Sequence, residues 1–203
     1  MARRQLVKKK KTPLILICTE GGKGSAEYNY LRNFRSRNLR IEFSTGNSTD
    51  PKGMLDDLKK FINNEDVKSE DNCRIFLLID TDLSIGRIKE IKEISSECDK
   101  NNIEIITSSP TFEIWYLMHY RDNALKFTNS KEVKKEIEKV IKEPYYANTN
   151  MYRKIYNLTD DARNNAILFE KQAINNGEEI IKCNPHSSIY KILDVIDELE
   201  ERW

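Results

Sequence analysis

The chain has 203 residues, 38% of them hydrophobic and 33% charged, which suits one core domain with a substantial appendage and a well-solvated exterior. Lys and Arg number 34 against 33 Asp and Glu; that balance excludes a strongly basic nucleic-acid-binding domain, though not a basic patch confined to a cleft. Cys18, Cys73, Cys98 and Cys183 are scattered, with no CxxC pair or Cys/His cluster, which argues against structural zinc and against a disulfide-built secreted fold.

Charge is uneven along the chain. Met1 to Lys11 carries Arg3, Arg4, Lys8, Lys9, Lys10 and Lys11 and no acid, so residues 1–12 read as a flexible basic arm, a solubilising tail or a phosphate contact, ahead of a mildly acidic body. No apolar run is long enough to cross a bilayer. The basic start leads into Leu14-Ile15-Leu16-Ile17-Cys18, too short for a signal h-region and without a cleavage pattern. The expected location is cytoplasmic.

Leu14 to Cys18 is an apolar run of strand type, broken by Gly21, Gly22 and Gly24. Ala26 to Arg37 reads as a helix with Tyr30, Leu31 and Phe34 inward, and Leu39 to Ser44 alternates as a strand. Asp50-Pro51 opens a helix whose buried stripe is Leu55, Leu58 and Ile62. Arg74 to Ile79 is a second near-continuous aliphatic strand, ending at Asp80. Ile85, Ile88, Ile91, Ile94 and Cys98 then recur at helical spacing, and Asn102 to Thr107 forms a fourth strand.

This β-α-β-α-β-α-β order, with aliphatic strands between amphipathic helices, predicts an α/β fold: a mostly parallel sheet flanked by helices over residues 13–120. Ser109-Pro110 opens a helix containing Phe112, Ile114, Trp115, Leu117 and Met118, with the aromatics assigned to the core. From Arg121 the chain reads as helical, with helices over Lys131–Lys142, Ala162–Asn175 and a last one capped by Ser187 or Ser188. Residues 121–203 therefore form a helical C-terminal portion, packed on the sheet or beside it.

In an open α/β sheet ligands gather outside the carboxyl ends of the strands. Glu20 follows the first strand, and Asp80 and Asp82 follow the third. Were the backbone still extended there, Asp80 and Asp82 would project to one side. Clustered carboxylates repel one another, and a divalent cation is the usual reason to assemble them. Oxygen-only donors favour Mg²⁺, with Mn²⁺ as a substitute. The plainer reading is a turn and a helix cap. Glu113 is a further candidate, as a ligand or to orient an attacking water, although an acid in a first helical turn also suits the helix dipole.

The glycine loop lacks the GxxxxGK[ST] and GxGxxG spacings, yet its backbone can face a phosphate, with Lys23 as the contact. His119 reads as a core histidine. Asn184, His186 and Ser187 read as a turn and cap that could line a cleft. Arg153, Lys154 and Arg163 are weak nucleic-acid contacts, since charged helix residues need no function.

A glutamate after the first strand and DxD after a later one resemble a Toprim domain. More specifically, the chain resembles the RloB-like, or abortive-infection, branch of Toprim proteins. The segments that carry this are ICTEGGKGSAEYNYL (Ile17–Leu31), LLIDTD (Leu77–Asp82), SSPTFEIWYLMHY (Ser108–Tyr120), ARNNA (Ala162–Ala166) and NPHSSIYKI (Asn184–Ile192). That family usually reads closer to CEGxKTExxY in the first segment. Here Thr19 precedes Glu20, and the stretch from Lys23 to Glu27 is two residues longer.

The resemblance implies a Toprim-like Rossmannoid core and a metal-dependent nuclease cutting DNA or RNA in bacterial anti-phage defence. Glu20, Asp80 and Asp82 would hold Mg²⁺ or Mn²⁺, Glu113 would help, and Lys23 would neutralise a phosphate oxygen. A neighbouring defence ATPase and a homo-oligomer are the implied partners. The alternatives are a non-catalytic nucleic-acid-binding or sensing subunit of a defence complex, and an assembly subunit that keeps its acids only as helix caps.

Overall fold

A computed structural model describes residues 12–44, 46, 48–64 and 73–202. The basic arm, Met1 to Lys11, lies outside the described residues.

Four strands run parallel in a five-stranded sheet: β1 (Leu14–Cys18), β2 (Arg40–Phe43), β3 (Cys73–Asp80) and β4 (Ile103–Ser109). The fifth, β5 (His186–Ser187), pairs antiparallel with β4, so the order is β2-β1-β3-β4-β5. The helices are α1 (Ala26–Leu31), α2 (Pro51–Asn64), α3 (Ile85–Lys100), α4 (Ile114–Met118), α5 (Ser130–Ile141), α6 (Met151–Ile155), α7 (Thr159–Asn175) and α8 (Tyr190–Glu201). The architecture is the mostly parallel, helix-flanked sheet that the alternation predicts.

Strand periodicity divides the core into two layers. Leu14, Leu16, Leu77, Ile79 and Ile103 face α2 and α3, through Leu55, Leu58, Ile91 and Ile94. Ile15, Ile17, Phe76, Leu78 and Ile106 face the other way, toward α1 and the C-terminal helices. Val133, Ile137, Ala162, Phe169, Ile192 and Ile196 belong to that second layer, so the helical portion packs directly on the sheet. Val133 and Ile137 are fully buried, and each such side chain contributes about 1.5–3 kcal/mol of transfer free energy.

Several elements depart from the pattern of the sequence. The first helix stops at Leu31 and tightens into a 3₁₀ turn over Arg32–Phe34. There Asn33 Nδ2 donates to the carbonyls of Asn29 (2.6 Å) and Tyr30 (3.1 Å), taking acceptors that a continuing helix would use. Ile85 is not part of the buried stripe of α3: it is 86% exposed, and the stripe begins at Ile88. β4 runs on through Ser109, and α4 begins only at Ile114. Pro110 has no N–H to continue the ladder, and a turn over residues 111–113 intervenes.

Neither Ser187 nor Ser188 caps the last helix, whose start carries no side-chain cap. Ser187 is in β5. Ser188 Oγ accepts from Thr107 N (2.9 Å) and donates to Thr107 O (3.2 Å), a closure of the sheet edge that no local spacing announces.

An acidic cleft at the carboxyl edge of the sheet

β1 and β3 are adjacent and parallel, with Cys18 level with Leu77. Their carboxyl ends therefore emerge side by side. Glu20 Oε1 accepts the backbone N–H of Asp80 at 3.1 Å, so the ends of the first and third strands meet, a pairing that the sequence pattern leaves open.

Beyond Asp80 the chain keeps to the line of β4. Thr81 N donates to Ser108 O (2.8 Å) and Asp82 N to Pro110 O (3.1 Å). This brings the turn Thr111-Phe112-Glu113 beside Asp80. Thr111 Oγ1 lies 3.0 Å from Asp80 Oδ2 and 2.6 Å from Glu113 Oε2. Glu113 is buried, with Tyr145 OH donating to its Oε1 at 3.3 Å and Lys134 Nζ 3.3 Å from the same oxygen.

The backbone is not extended through the DxD step. Asp82 and Leu83 have φ of 50° and 56°, a left-handed conformation that costs a branched residue such as Leu83 about 1–3 kcal/mol. Thr81 is buried and Asp82 exposed. Asp80 and Asp82 thus do not project as a matched pair. Asp80 lies inside the cleft, and Asp82 sits at its rim.

A further carboxylate joins them. Glu27, in the first turn of α1, is held there because Ser25 Oγ accepts Tyr28 N (3.3 Å) and Tyr116 OH donates to Ala26 O (3.0 Å). Gly21 lets the preceding loop fold tightly: a Cβ there would lie 2.3 Å from Ser25 Cβ. Lys23 is exposed in that loop.

The electrostatics record the crowding. Burial, then the charges of Glu27, Glu20 and Glu113, hold Asp80 well above the usual carboxylate range, against a backbone hydrogen bond from Phe112. Burial raises Glu27, reinforced by Glu113 and Glu20. Burial also raises Glu20, although the Arg87 guanidinium beside it pulls the other way.

The single hydroxyl proton of Thr111 can serve only one of its two carboxyl neighbours.

Arg87, Thr111 and Tyr145 join the site without a motif to mark them, and Glu27 joins it from the segment that resembles CEGxKTExxY. Arg87 pairs with Glu20 and donates from Nε to Asp80 O at 3.3 Å. A signal for it existed: a cation in the first turn of a helix opposes the helix dipole, so it requires another partner. Tyr145 had no such signal, because it reaches the cleft from the C-terminal portion.

The other sequence candidates lie elsewhere. Arg163 pairs with Asp194 (3.4 Å) and Asp197 (2.5 Å), and Lys154 with Glu143 (2.6 Å). Arg153 is exposed on α6. Asn184 Oδ1 accepts Phe127 N at 3.3 Å, and Ser187 Oγ lies 3.3 Å from Ser108 Oγ. His186 is buried, with Nε2 3.0 Å from Thr107 Oγ1 and a pKa pushed down to about 4, chiefly by burial. It lines a cavity of about 320 Å³ with Ile91, Thr107 and Glu170, apart from the acids. His119 is a core residue, bonded to Trp115 O at 2.8 Å.

The cleft's donors are all carboxylate oxygens, the chemistry a hard divalent cation requires. In the geometry observed, the carboxylates are engaged by Arg87, Lys134, Thr111 and Tyr145. Among the described residues, no three His, Cys, Asp or Glu side chains form a group arranged to hold a metal ion. Also among the described residues, no helix is long and apolar enough to cross a membrane.

A family model described as RloB-like protein matches residues 15–196. No curated protein and no solved structure matches the chain.

Proposed function

The chain belongs to the RloB-like family, and on that premise we propose that it is a Toprim-type, divalent-metal-dependent nuclease acting in bacterial defence against phage. The observation that carries this reading is the meeting of Glu20 and Asp80 at the carboxyl edge of the sheet, with Glu27 and Glu113 close enough to raise the pKa of Asp80. A fold gains nothing from collecting four mutually repelling carboxyls; a bound cation does.

Glu20, Asp80 and Asp82 would hold the ion, with Glu27 and Glu113 completing the donor set. When bound, a Mg²⁺ or Mn²⁺ ion supplies positive charge against the scissile phosphate and an acidified water. Tyr145 and Lys134 fix the Glu113 carboxylate, which can orient the attacking water. Thr111 bridges the Asp80 and Glu113 carboxyls. Lys23, exposed in the glycine loop, would meet a phosphate oxygen.

The test is cleavage of labelled DNA and RNA by the purified chain with Mg²⁺ or Mn²⁺, with and without a neighbouring ATPase. Metal-dependent cleavage lost on Asp80→Asn supports the reading; cleavage retained in a folded Asp80→Asn protein refutes it.

One observation favours a second reading, a non-catalytic nucleic-acid sensing subunit: Glu20 is already neutralised by Arg87. Metal-dependent turnover separates the two.

A further inference from the structure

Two segments far apart in sequence are tied together beside residues of the acidic cleft. Asn29 Nδ2 donates to Gly24 O (2.9 Å) and to Ala147 O (3.2 Å), tying the loop that carries Lys23 to the turn after Tyr145. That turn is closed on itself: Tyr146 N donates to Thr149 Oγ1 (2.9 Å) and Thr149 N to Tyr146 O (2.8 Å).

Within it the two tyrosines part. Tyr145 is buried, its hydroxyl on Glu113, while Tyr146 is 65% exposed. A large ring held in water by a hydrogen-bonded turn contributes little to the core. On the Asp80 side of the cleft, α3 opens with Ile85, 86% exposed, two residues ahead of the arginine that grips Glu20.

We propose that Tyr146 is a base-stacking platform, with Ile85 as a second apolar contact, for unpaired nucleotides flanking the bond to be cut, so that the substrate is single-stranded nucleic acid or a single-stranded part of one. This rests on the nuclease reading of the acids. In a duplex both faces of an internal base are already covered by its neighbours, whereas an unpaired base offers a face to an aromatic ring. The cleft itself is acidic and offers a phosphate backbone little attraction, so a stacking contact beside it adds hold where charge does not.

The experiment measures binding of fluorescently labelled single-stranded DNA, single-stranded RNA and a duplex of the same sequence, using the full chain with Ca²⁺ in place of Mg²⁺. Tyr146→Ala should weaken single-strand binding about 5- to 150-fold, the span of one base–aromatic stack, and Tyr146→Trp should retain it. Ile85→Ser should weaken it less. Duplex binding should not change, and the DNA and RNA arms identify which strand is preferred.

Unchanged single-strand binding by Tyr146→Ala, or an equal loss for the duplex, overturns the proposal. Metal-dependent cleavage together with Tyr146-independent binding sinks the platform alone. Tyr146-dependent binding without cleavage in Mg²⁺ or Mn²⁺ sinks the nuclease reading and leaves the platform standing.

Discussion

The backbone N–H of Asp80 donates to the carboxylate of Glu20 at 3.1 Å across a separation of 60 residues. The bond exists because β1 and β3 are parallel neighbours that end at the same edge. It ties the site's two principal acids to sheet backbone rather than to loops alone, so their spacing follows the register of the strands.

Asp80→Asn is expected to abolish metal-dependent cleavage and to stabilise the metal-free fold. The native side chain is disfavoured in its charged form by burial and by three acid neighbours, and the amide removes that charge while retaining the shape. A gain of about 0.5–2 kcal/mol is the usual scale where function holds a strained or charged residue. Chemical denaturation at neutral pH checks it; a destabilised variant would contradict the charge argument.

The pH dependence follows in sign. Glu20, Glu27 and Asp80 all have raised folded-state values, so their contribution to stability is full below the ordinary carboxyl range, near pH 4, and is lost as pH rises through the folded values. The stability gap between Asp80→Asn and the natural chain should therefore widen from about pH 4 upward. His119 and His186, both pushed down to about 4, lose their contributions as pH falls from about 6.5, but they are common to both proteins and cancel in the difference.

Divalent metal should reverse the penalty. At a hundredfold excess over its dissociation constant, Mg²⁺ or Mn²⁺ should stabilise the natural chain by about 2.7 kcal/mol, and chelation should remove that gain. Asp80→Asn should respond much less in the same melting experiment. Equal responses would place the ion elsewhere.

Arg87→Gln tests the built-in cation. The Arg87 and Glu20 side chains are 14% and 22% exposed, so the metal-free variant should lose about 1.5–3 kcal/mol, as for a hydrogen bond to a charged group. With the competing guanidinium gone, Mn²⁺ should bind more tightly. Direct titration decides; weaker binding would mean that Arg87 positions Glu20 for the ion instead of competing with it.

Ser188→Ala probes the sheet edge. It leaves the buried N–H of Thr107 without its acceptor, a loss of about 1–3 kcal/mol, with metal affinity unchanged because Ser188 bonds the backbone of Thr107 and none of the acids. Loss of metal response at full folding would show that the β5 closure reaches the site.

The amino-acid order alone determined the mostly parallel sheet and which acids stand at its strand ends. Aliphatic runs such as Leu14–Cys18 and Arg74–Ile79, separated by helical stripes, point to parallel strands covered on both faces, with Glu20 and Asp80 at strand ends; that the two strands are neighbours is a matter of the tertiary pairing. Only the tertiary structure decided which groups surround them. Arg87, Thr111 and Tyr145 reach the acids through helix orientation, an extended β4 and a turn from the C-terminal portion, none of which leaves a period in the sequence. The same holds for the exposed Ile85 and the left-handed Asp82 and Leu83. Hydrophobic spacing reports which face of an element is buried; it does not report where the chain turns, or what a distant segment lays against that turn.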